Sequence, residues 1–272
     1  MDPVLEVRDI SFKYPKTDKG IFDVSLKIHS GECVGLIGPN GAGKSTLLLH
    51  FNGLLKPIKG EVLVKGLSTL KPENMFKIRR LVGLVFQDPN DQILKNIVEE
   101  EVAYGLLNTG LKQSDVLERV NTALETVGLE GYNKRVTFNL SYGEKKKLSI
   151  ASIIVMDPDI LVLDEPTSNL DPRGVDDLIE IISNIKARGK TMIIATHDID
   201  FAAELLDRCY IIDGGRIIGE DSSRLVLTDL NLLAKHGLKP PTVTRLFAAI
   251  GGFNRLPIKL SEAVELLKNI CR

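Results

Sequence analysis

The fold is decided by residues 33–46, which read CVGLIGPNGAGKST. The uninterrupted apolar run at 33–37 is typical of a strand that is buried on both faces of a parallel sheet. Residues 38–45 then fit the pattern G-x-x-x-x-G-K-[ST], in which glycines allow successive backbone N–H groups to point at phosphate oxygens. Lys44 adds a positive charge, and Ser45 adds a hydroxyl that suits Mg²⁺. The stretch predicts a strand, a phosphate-binding loop and a helix, in that order.

Two later apolar runs, at 160–163 and 192–195, share the β-rich character of the first run. They predict two more buried parallel strands. Residues 22–29 instead alternate apolar and polar side chains, as expected for a strand with one solvated face in an antiparallel sheet. We therefore expect an α/β fold: a P-loop NTPase with a mixed sheet core and an antiparallel β subdomain.

Helical periodicity marks the middle and the end of the chain. Between about residues 90 and 155, apolar side chains recur at helix spacing, which predicts a helical subdomain. A proline pair at 240–241 precedes two short helical stretches. We expect one nucleotide-binding domain at 1–235 and a C-terminal helical extension, a tail, at 236–272.

Two acidic residues follow the second buried run. Asp164 and Glu165 come directly after 160–163, and polar strand ends in such sheets face the ligand crevice. Asp164 is expected to hold Mg²⁺, and Glu165 is expected to polarise the water that attacks a phosphate. A solvated strand end is the alternative interpretation, and the phosphate loop earlier in the chain argues against it.

Three further residues are predicted to act at the site only because a phosphate loop is present in the same chain. Gln87 follows the apolar run at 82–86 and is expected to contact the metal shell and the attacking water; a surface glutamine is the alternative. His197 follows 192–195 and is expected to donate to the γ-phosphate; a structural histidine is the alternative. Tyr14 is expected to stack on adenine, although an aromatic residue near a strand end usually serves packing.

Residues 140–144, which read LSYGE, open a predicted helix. Ser141 and Glu144 satisfy the S-x-x-E capping box, which is a structural role. A helix N-terminus with a serine hydroxyl and the N–H of Gly143 is also a ready anion site. The two roles are compatible.

Taken in order, these segments resemble the nucleotide-binding subunit of ATP-binding-cassette (ABC) transporters over about residues 4–220. The matching motifs are the phosphate loop, Gln87, the signature 140–144, 163–165, 168–171 (the D-loop) and 196–198. The resemblance implies ATP hydrolysis in a head-to-tail dimer, in which one chain's phosphate loop faces the other's signature. It also implies that Ser141 and Gly143 act on the partner's γ-phosphate and that Asp171 couples the two sites.

The resemblance narrows to ATPases of the energy-coupling-factor type, which serve uptake of cobalt and nickel or of vitamins. Residues 86–92, FQDPNDQ, resemble that group's Gln-loop with its second glutamine, and 238–246 resemble its C-terminal extension. In that group the extension helps to hold two ATPases together. The implied partners are a second ATPase subunit, identical or a paralogue, and integral-membrane scaffold and substrate-binding subunits. The transported substrate stays open.

Three residues depart from the family pattern. The signature is usually LSGGQ, whereas Tyr142 and Glu144 replace its first glycine and its glutamine, and Asn169 replaces an alanine of the D-loop. A carboxylate near a phosphate is expected to slow turnover or weaken ATP binding, because like charges repel. The other motif residues are intact, so we expect an active ATPase.

Composition bears on location and partners. A net charge of −1 gives no bulk electrostatic case for nucleic acid, and no apolar run approaches the roughly 20 residues that span a bilayer. We expect a cytoplasmic chain that is peripheral on the inner face of the membrane.

Acids at Asp88, Asp91 and 99–101 are expected to receive arginines of the scaffold; a solvated helix face is the alternative. The alternative functions are another ABC importer or exporter, or a soluble ABC protein acting on ribosomes or DNA.

The expected site residues fall into three groups. Glu165, His197 and Gln87 are expected to be catalytic. The expected contacts of ATP are Tyr14, Gly38, Pro39, Asn40, Gly41, Ala42, Gly43, Lys44, Ser45, Thr46, Ser141, Gly143 and Asp171. The expected ligands of Mg²⁺ are Ser45, Gln87 and Asp164.

Overall fold

The structure, a computed structural model, describes residues 2–107 and 110–270. Its strands are β1 (Leu5–Lys13), β2 (Gly20–Ile28), β3 (Cys33–Ile37), β4 (Lys59–Val64), β5 (Leu67–Ser68), β6 (Val82–Val85), β7 (Ile160–Asp164), β8 (Thr191–Thr196), β9 (Arg208–Asp213) and β10 (Arg216–Ser222). Its helices are α1 (Lys44–Phe51), α2 (Met75–Leu81), α3 (Val98–Ala103), α4 (Gln113–Thr126), α5 (Tyr142–Ile154), α6 (Pro172–Ala187), α7 (Ile199–Leu205), α8 (Ser223–Thr228), α9 (Leu230–Lys235), α10 (Thr242–Ile250) and α11 (Leu260–Ile270).

The larger sheet contains the predicted parallel strands. Its strand order is β10-β9-β3-β8-β7-β6, and all neighbours are parallel except β10, which is antiparallel to β9. Every residue of β3, β7 and β8 is buried, which is why these strands are continuous apolar runs in the sequence. The prediction of a mixed sheet core is confirmed.

The smaller sheet is antiparallel, with the strand order β2-β1-β4-β5. The expected alternation of β2 holds from Val24 to Ile28, but a register shift precedes it. Asp23 has a φ of 51° there, which is typical of a bulge. As a result Ile21 is buried, whereas Phe22 is only half-buried.

Helix α1 packs in the core between the two sheets. Its buried residues Leu47, Leu48 and Phe51 belong to one cluster with the apolar face of the smaller sheet and one face of the larger sheet. The other face of the larger sheet packs against helices that include α4, α5, α6 and α7. Because both faces are covered, the carboxyl ends of the parallel strands are the edge at which a ligand can bind.

The helices of the middle and end of the chain lie where periodicity predicts them. Helix α4 ends at Thr126, and Gly128 follows with a left-handed φ of 68°. In the tail, Phe247 and Ile258 are buried, and the Thr244 hydroxyl donates to the Pro257 carbonyl at 2.6 Å. The domain boundary near residue 235 stays a prediction. Within 2–107 and 110–270, no helix is both long and apolar enough to cross a membrane.

Candidate nucleotide-binding site

The phosphate loop connects β3 to α1, and two of its glycines are required by the backbone. Gly43 caps α1 with a φ of 105°, which L side chains rarely adopt. A Cβ on Gly38 would lie 2.2 Å from the Ile212 carbonyl oxygen, so no side chain fits there. The spacing of glycines in the motif therefore follows from the turn and from close packing against β9.

Lys44 folds back over this loop. Its buried ammonium donates to the carbonyls of Gly38 at 2.7 Å and Pro39 at 3.1 Å. The same Nζ forms an ion pair with Glu165 Oε1 at 2.9 Å. No described residue donates a well-aligned hydrogen bond to that oxygen. The positive charge is thus held at the centre of the loop, where phosphate oxygens would bind.

Glu165 stands at the carboxyl end of β7 in a strained conformation. It is buried and has a φ of 41°, which is uncommon for a residue with a side chain. Its Oε2 accepts from the Nδ1 of His197 at 2.8 Å and from the His197 backbone N–H at 3.3 Å. Since Nδ1 carries the proton in this contact, His197 can donate to a phosphate only through Nε2.

Asp164 offers the carboxylate expected for Mg²⁺. It is buried, and it accepts a hydrogen bond from the Ser45 hydroxyl. Burial raises the pKa of Asp164, and the Ser45 hydroxyl opposes that effect. Its Oδ1 is buried without a hydrogen-bond partner among the described residues. A hydroxyl and one partnerless carboxylate oxygen suit Mg²⁺, which typically takes one or two protein ligands together with phosphates and water.

Gln87 follows β6 on the same edge of the sheet. Its side chain is exposed, and Nε2 donates weakly to the Ser168 hydroxyl at 3.4 Å. Its backbone carbonyl accepts from the Lys146 ammonium in a short hydrogen bond. The predicted catalytic residues therefore come from three neighbouring strand ends.

One cavity of about 350 Å³ contains most of the predicted residues. Its lining residues are Tyr14, Lys19, Gly20, Asn40, Gly41, Ala42, Gly43, Lys44, Ser45, Thr46, Gln87, Glu165 and His197. Tyr14 lies at its rim, with its hydroxyl 3.3 Å from that of Thr46 and its ring edge-on to Phe12. Pro39 lines the adjoining cavity, which shares Asn40 and His197 with the first.

Ser141, Gly143 and Asp171 do not line this cavity. Ser141 caps α5, and the capping box with Glu144 is complete. Asp171 caps α6, where it accepts from the Gly174 N–H at 2.7 Å. Gly143 lies beside the D-loop, because a Cβ there would meet Leu170 at 3.8 Å. The role expected for these three residues at a partner's γ-phosphate stays a prediction.

The acidic cluster near the Gln-loop does not act as one surface. Glu101 is buried, and its carboxylate accepts from the backbone N–H groups of Leu94 and Lys95 at 2.8 and 2.7 Å. The expectation that Glu101 receives a scaffold arginine is therefore wrong. Asp88 caps a 3₁₀ turn through the Asn90 N–H.

Sequence reasoning did not identify two residues, Lys19 and Lys146. Lys19 lines the cavity, and Lys146 is buried against the Gln-loop. The sequence does not single out Lys146, because it lies four residues before the buried Ile150 just as Lys147 lies four residues before the buried Ala151.

Comparison with known proteins supports the same assignment. Residues 21–168 match the family model described as ABC transporter. The energy-coupling factor transporter ATP-binding protein EcfA of Methanocaldococcus jannaschii is 40% identical over 98% of this chain and 96% of its own length. EcfA of Carboxydothermus hydrogenoformans is 39% identical over 98% of each chain.

Solved structures share the fold. The structure of cbiO1 from Clostridium perfringens, part of the ABC transporter complex cbiONQ, has a TM-score of 0.77 and 34% identity, covering 86% of this chain and 94% of that one. The dimeric cassette MJ0796, in a post-hydrolysis state bound to ADP and Pi, has a TM-score of 0.73 and 28% identity over 81% of this chain and 99% of that one. Since the likeness extends over nearly the whole length, the chain belongs to the ABC transporter family, among its energy-coupling factor transporter ATP-binding proteins.

Proposed function

We propose that this ATPase energises a membrane uptake transporter of the energy-coupling-factor type. The observation that carries the proposal is the convergence of Lys44, Glu165 and His197, with contacts of 2.9 and 2.8 Å, beside a complete phosphate loop. ATP with Mg²⁺ is the substrate of the family. When bound, Mg²⁺ neutralises charge on the β- and γ-phosphate oxygens.

The Lys44–Glu165 ion pair makes the base depend on phosphate binding. A γ-phosphate at the loop attracts the same ammonium that Glu165 holds. As Lys44 turns to the phosphate, Glu165 Oε1 becomes free to accept a proton from water, while His197 continues to orient Oε2. Since phosphoryl transfer depends chiefly on positioning and charge stabilisation, this exchange of partners is sufficient to prepare the carboxylate.

A second chain completes the site in this proposal. Ser141 and Gly143 lie outside the cavity that holds Lys44, so donors from the signature must come from another copy or a paralogue. Withholding those donors until two chains close on ATP prevents hydrolysis by the isolated subunit. Closure of the two chains then provides a movement that a membrane partner can use.

The membrane partner and the cargo are proposed from the family. We expect a scaffold on the cytoplasmic side of the membrane to take up the movement, and separate substrate-binding subunits to select the cargo. The energy-coupling-factor ATPases that this chain resembles serve the uptake of a transition-metal ion (cobalt or nickel) or of a vitamin, and we propose a cargo of one of these two kinds. No residue of this chain is assigned to cargo recognition.

Glu165→Gln tests the catalytic assignment. The amide keeps the size of the carboxylate but accepts no proton, so we expect kcat to fall about 10²- to 10⁴-fold, the usual contribution of a general base. ATP–Mg²⁺ should then hold the variant as a stable dimer, which light scattering detects. Glu165→Gln combined with Lys44→Ala is the control and should neither bind ATP tightly nor dimerise.

Three outcomes would contradict parts of this proposal. An unchanged kcat in Glu165→Gln would exclude Glu165 as the base. If the wild type and the variant both bind ATP but neither dimerises, the working form requires a different second ATPase or the membrane scaffold. Failure to copurify with any multispan membrane protein would exclude the transport function itself.

A further inference from the structure

Three consecutive lysines, residues 145–147, begin the second turn of helix α5, and their environments differ. Lys145 donates to the Asn90 side chain at 3.2 Å, and Lys147 pairs with Asp177 on α6 at 2.7 Å. Lys146 between them is only 1% exposed. Burying an ammonium is costly unless its protons are bound by acceptors, so its surroundings need a specific explanation.

The acceptors of Lys146 are backbone carbonyls of the Gln-loop. Its Nζ donates to the carbonyl of Gln87 in a short hydrogen bond and to that of Phe86 at 3.4 Å. Burial lowers the pKa of Lys146 to about 8, although the charges of Asp88, Asp164 and Glu165 act in the opposite direction. A buried cation on the signature helix is thus bonded to the main chain of a predicted catalytic residue.

A second contact ties the same segment to α5. Gln92 accepts from the Phe86 N–H at 3.0 Å through Oε1, and its Nε2 donates to the Ser149 carbonyl at 2.7 Å. The main chain at residues 86–87 is therefore bonded to α5 on both its N–H side and its carbonyl side. These bonds therefore link the position of the Gln87 backbone to that of α5.

We infer that Lys146 is a positioning residue that sets the place of the Gln87 amide in the nucleotide cavity according to the position of the signature helix. The inference rests on the proposed function, in which Gln87 acts at the γ-phosphate. Lys146 itself does not line the cavity. Its removal should therefore impair turnover through Gln87 and leave ATP binding intact.

The test compares Lys146→Met with Lys147→Met, which removes a neighbouring ammonium bonded to α6 and not to the Gln-loop. We expect Lys146→Met to lower kcat about 10- to 100-fold, the effect of misplacing a reacting group by about 1 Å. The KM for ATP should change less than about twofold. Lys147→Met should keep the kcat of the wild type.

A double-mutant cycle separates positioning from general support of the fold. If Lys146 acts through Gln87, Lys146→Met in a Gln87→Ala background lowers kcat no further, because the group it positions is already gone. A further fall of similar size in that background would overturn the inference. So would a kcat in Lys146→Met equal to that of Lys147→Met.

Two controls keep the result interpretable. Lys146→Arg retains donors for the two carbonyls and should recover kcat relative to Lys146→Met; if Met does not fold, Lys146→Gln takes its place in the cycle. If Gln87→Ala itself keeps the wild-type kcat, the role proposed for Gln87 fails. If Gln87→Ala is slow and Lys146→Met is not, the inference about Lys146 fails alone.

Discussion

Glu144 replaces the glutamine of the usual signature, and its carboxylate is bound within its own chain. It accepts from the Tyr132 hydroxyl and from the Ser141 N–H, both at 2.7 Å, and Arg135 lies 3.9 Å away. These hydrogen bonds lower the pKa of Glu144 below its ordinary value of 4.5, and the bond from Tyr132 has the largest effect. The carboxylate therefore stabilises the start of α5 as the second member of the capping box.

Glu144→Gln measures this contribution. We expect the free energy of unfolding at neutral pH to fall by about 1 kcal/mol, because the glutamine can complete the capping box but accepts its hydrogen bonds without the charge that strengthens them. Because the folded-state pKa is depressed, the stabilisation is present above pH 4.5 and is lost as the pH falls through the folded-state value. Urea unfolding at a series of pH values should show the two proteins converging in acid. A difference that stays constant with pH would contradict this account.

The residues of the site differ in how well their sequence predicts them. Lys44, Asp164 and Glu165 are predictable, because a local spacing after a buried strand specifies both their position and their chemistry. Lys146 is not, since which of three consecutive lysines faces inward depends on the register at which α5 docks against the Gln-loop. The ion pair between Lys44 and Glu165 also joins residues that are far apart in the chain.

At the scale of elements, continuous apolar runs are sufficient to predict β3, β7 and β8. The bulge at Asp23 and the burial of Glu101 are not predictable, because the first is a local backbone irregularity and the second satisfies backbone N–H groups elsewhere in the chain. Glu101 binds two backbone N–H groups that precede α3, so an acidic run that reads as a solvated face contains one structural carboxylate. Local periodicity carries no information about backbone N–H groups that need a side-chain acceptor.

Leu94 and Phe138 are two exposed apolar residues on segments near the Gln-loop. The Thr137 N–H donates to the Asn96 carbonyl at 2.9 Å, and its hydroxyl to the Lys95 carbonyl at 2.7 Å, so the neighbouring residues Leu94 and Phe138 lie on adjacent segments. Phe138 is 83% exposed. We expect this exposed aromatic residue to be buried against the membrane scaffold.

Phe138→Glu tests that expectation. We expect copurification with the membrane scaffold to fall at least about tenfold, the loss expected when a residue that contributes about 2 kcal/mol or more to an interface is removed. The ATP affinity of the isolated chain should not change. Leu225→Glu, at an exposed position on α8, is the matched control. Equal loss of association in both variants would argue against a specific docking surface.

At the scale of the molecule, the tail has an inner and an outer face. Its inner face is held to α7, since Thr242 donates twice to the Asp200 carboxylate at 2.7 Å and Lys259 donates to the Glu204 carbonyl at 2.8 Å. Leu246 and Ile250 are exposed one helical turn apart on α10, and Leu260 is exposed at the start of α11. Helix α7 begins two residues after His197, so the inner face of the tail is bonded to the helix that follows the catalytic edge.

We therefore expect the outer face of the tail to be covered by a second ATPase chain. Leu246→Glu should weaken the ATP-dependent dimer at least about tenfold, since exposing a buried leucine costs about 1.5–3 kcal/mol in each chain. ATP binding to the single chain should stay unchanged, because Leu246 lies outside the nucleotide cavity. Sedimentation of the Glu165→Gln background with and without Leu246→Glu measures the difference directly. An unaltered dimer would assign the association to the phosphate loops and signatures alone, and the tail would then serve only to brace α7 behind His197.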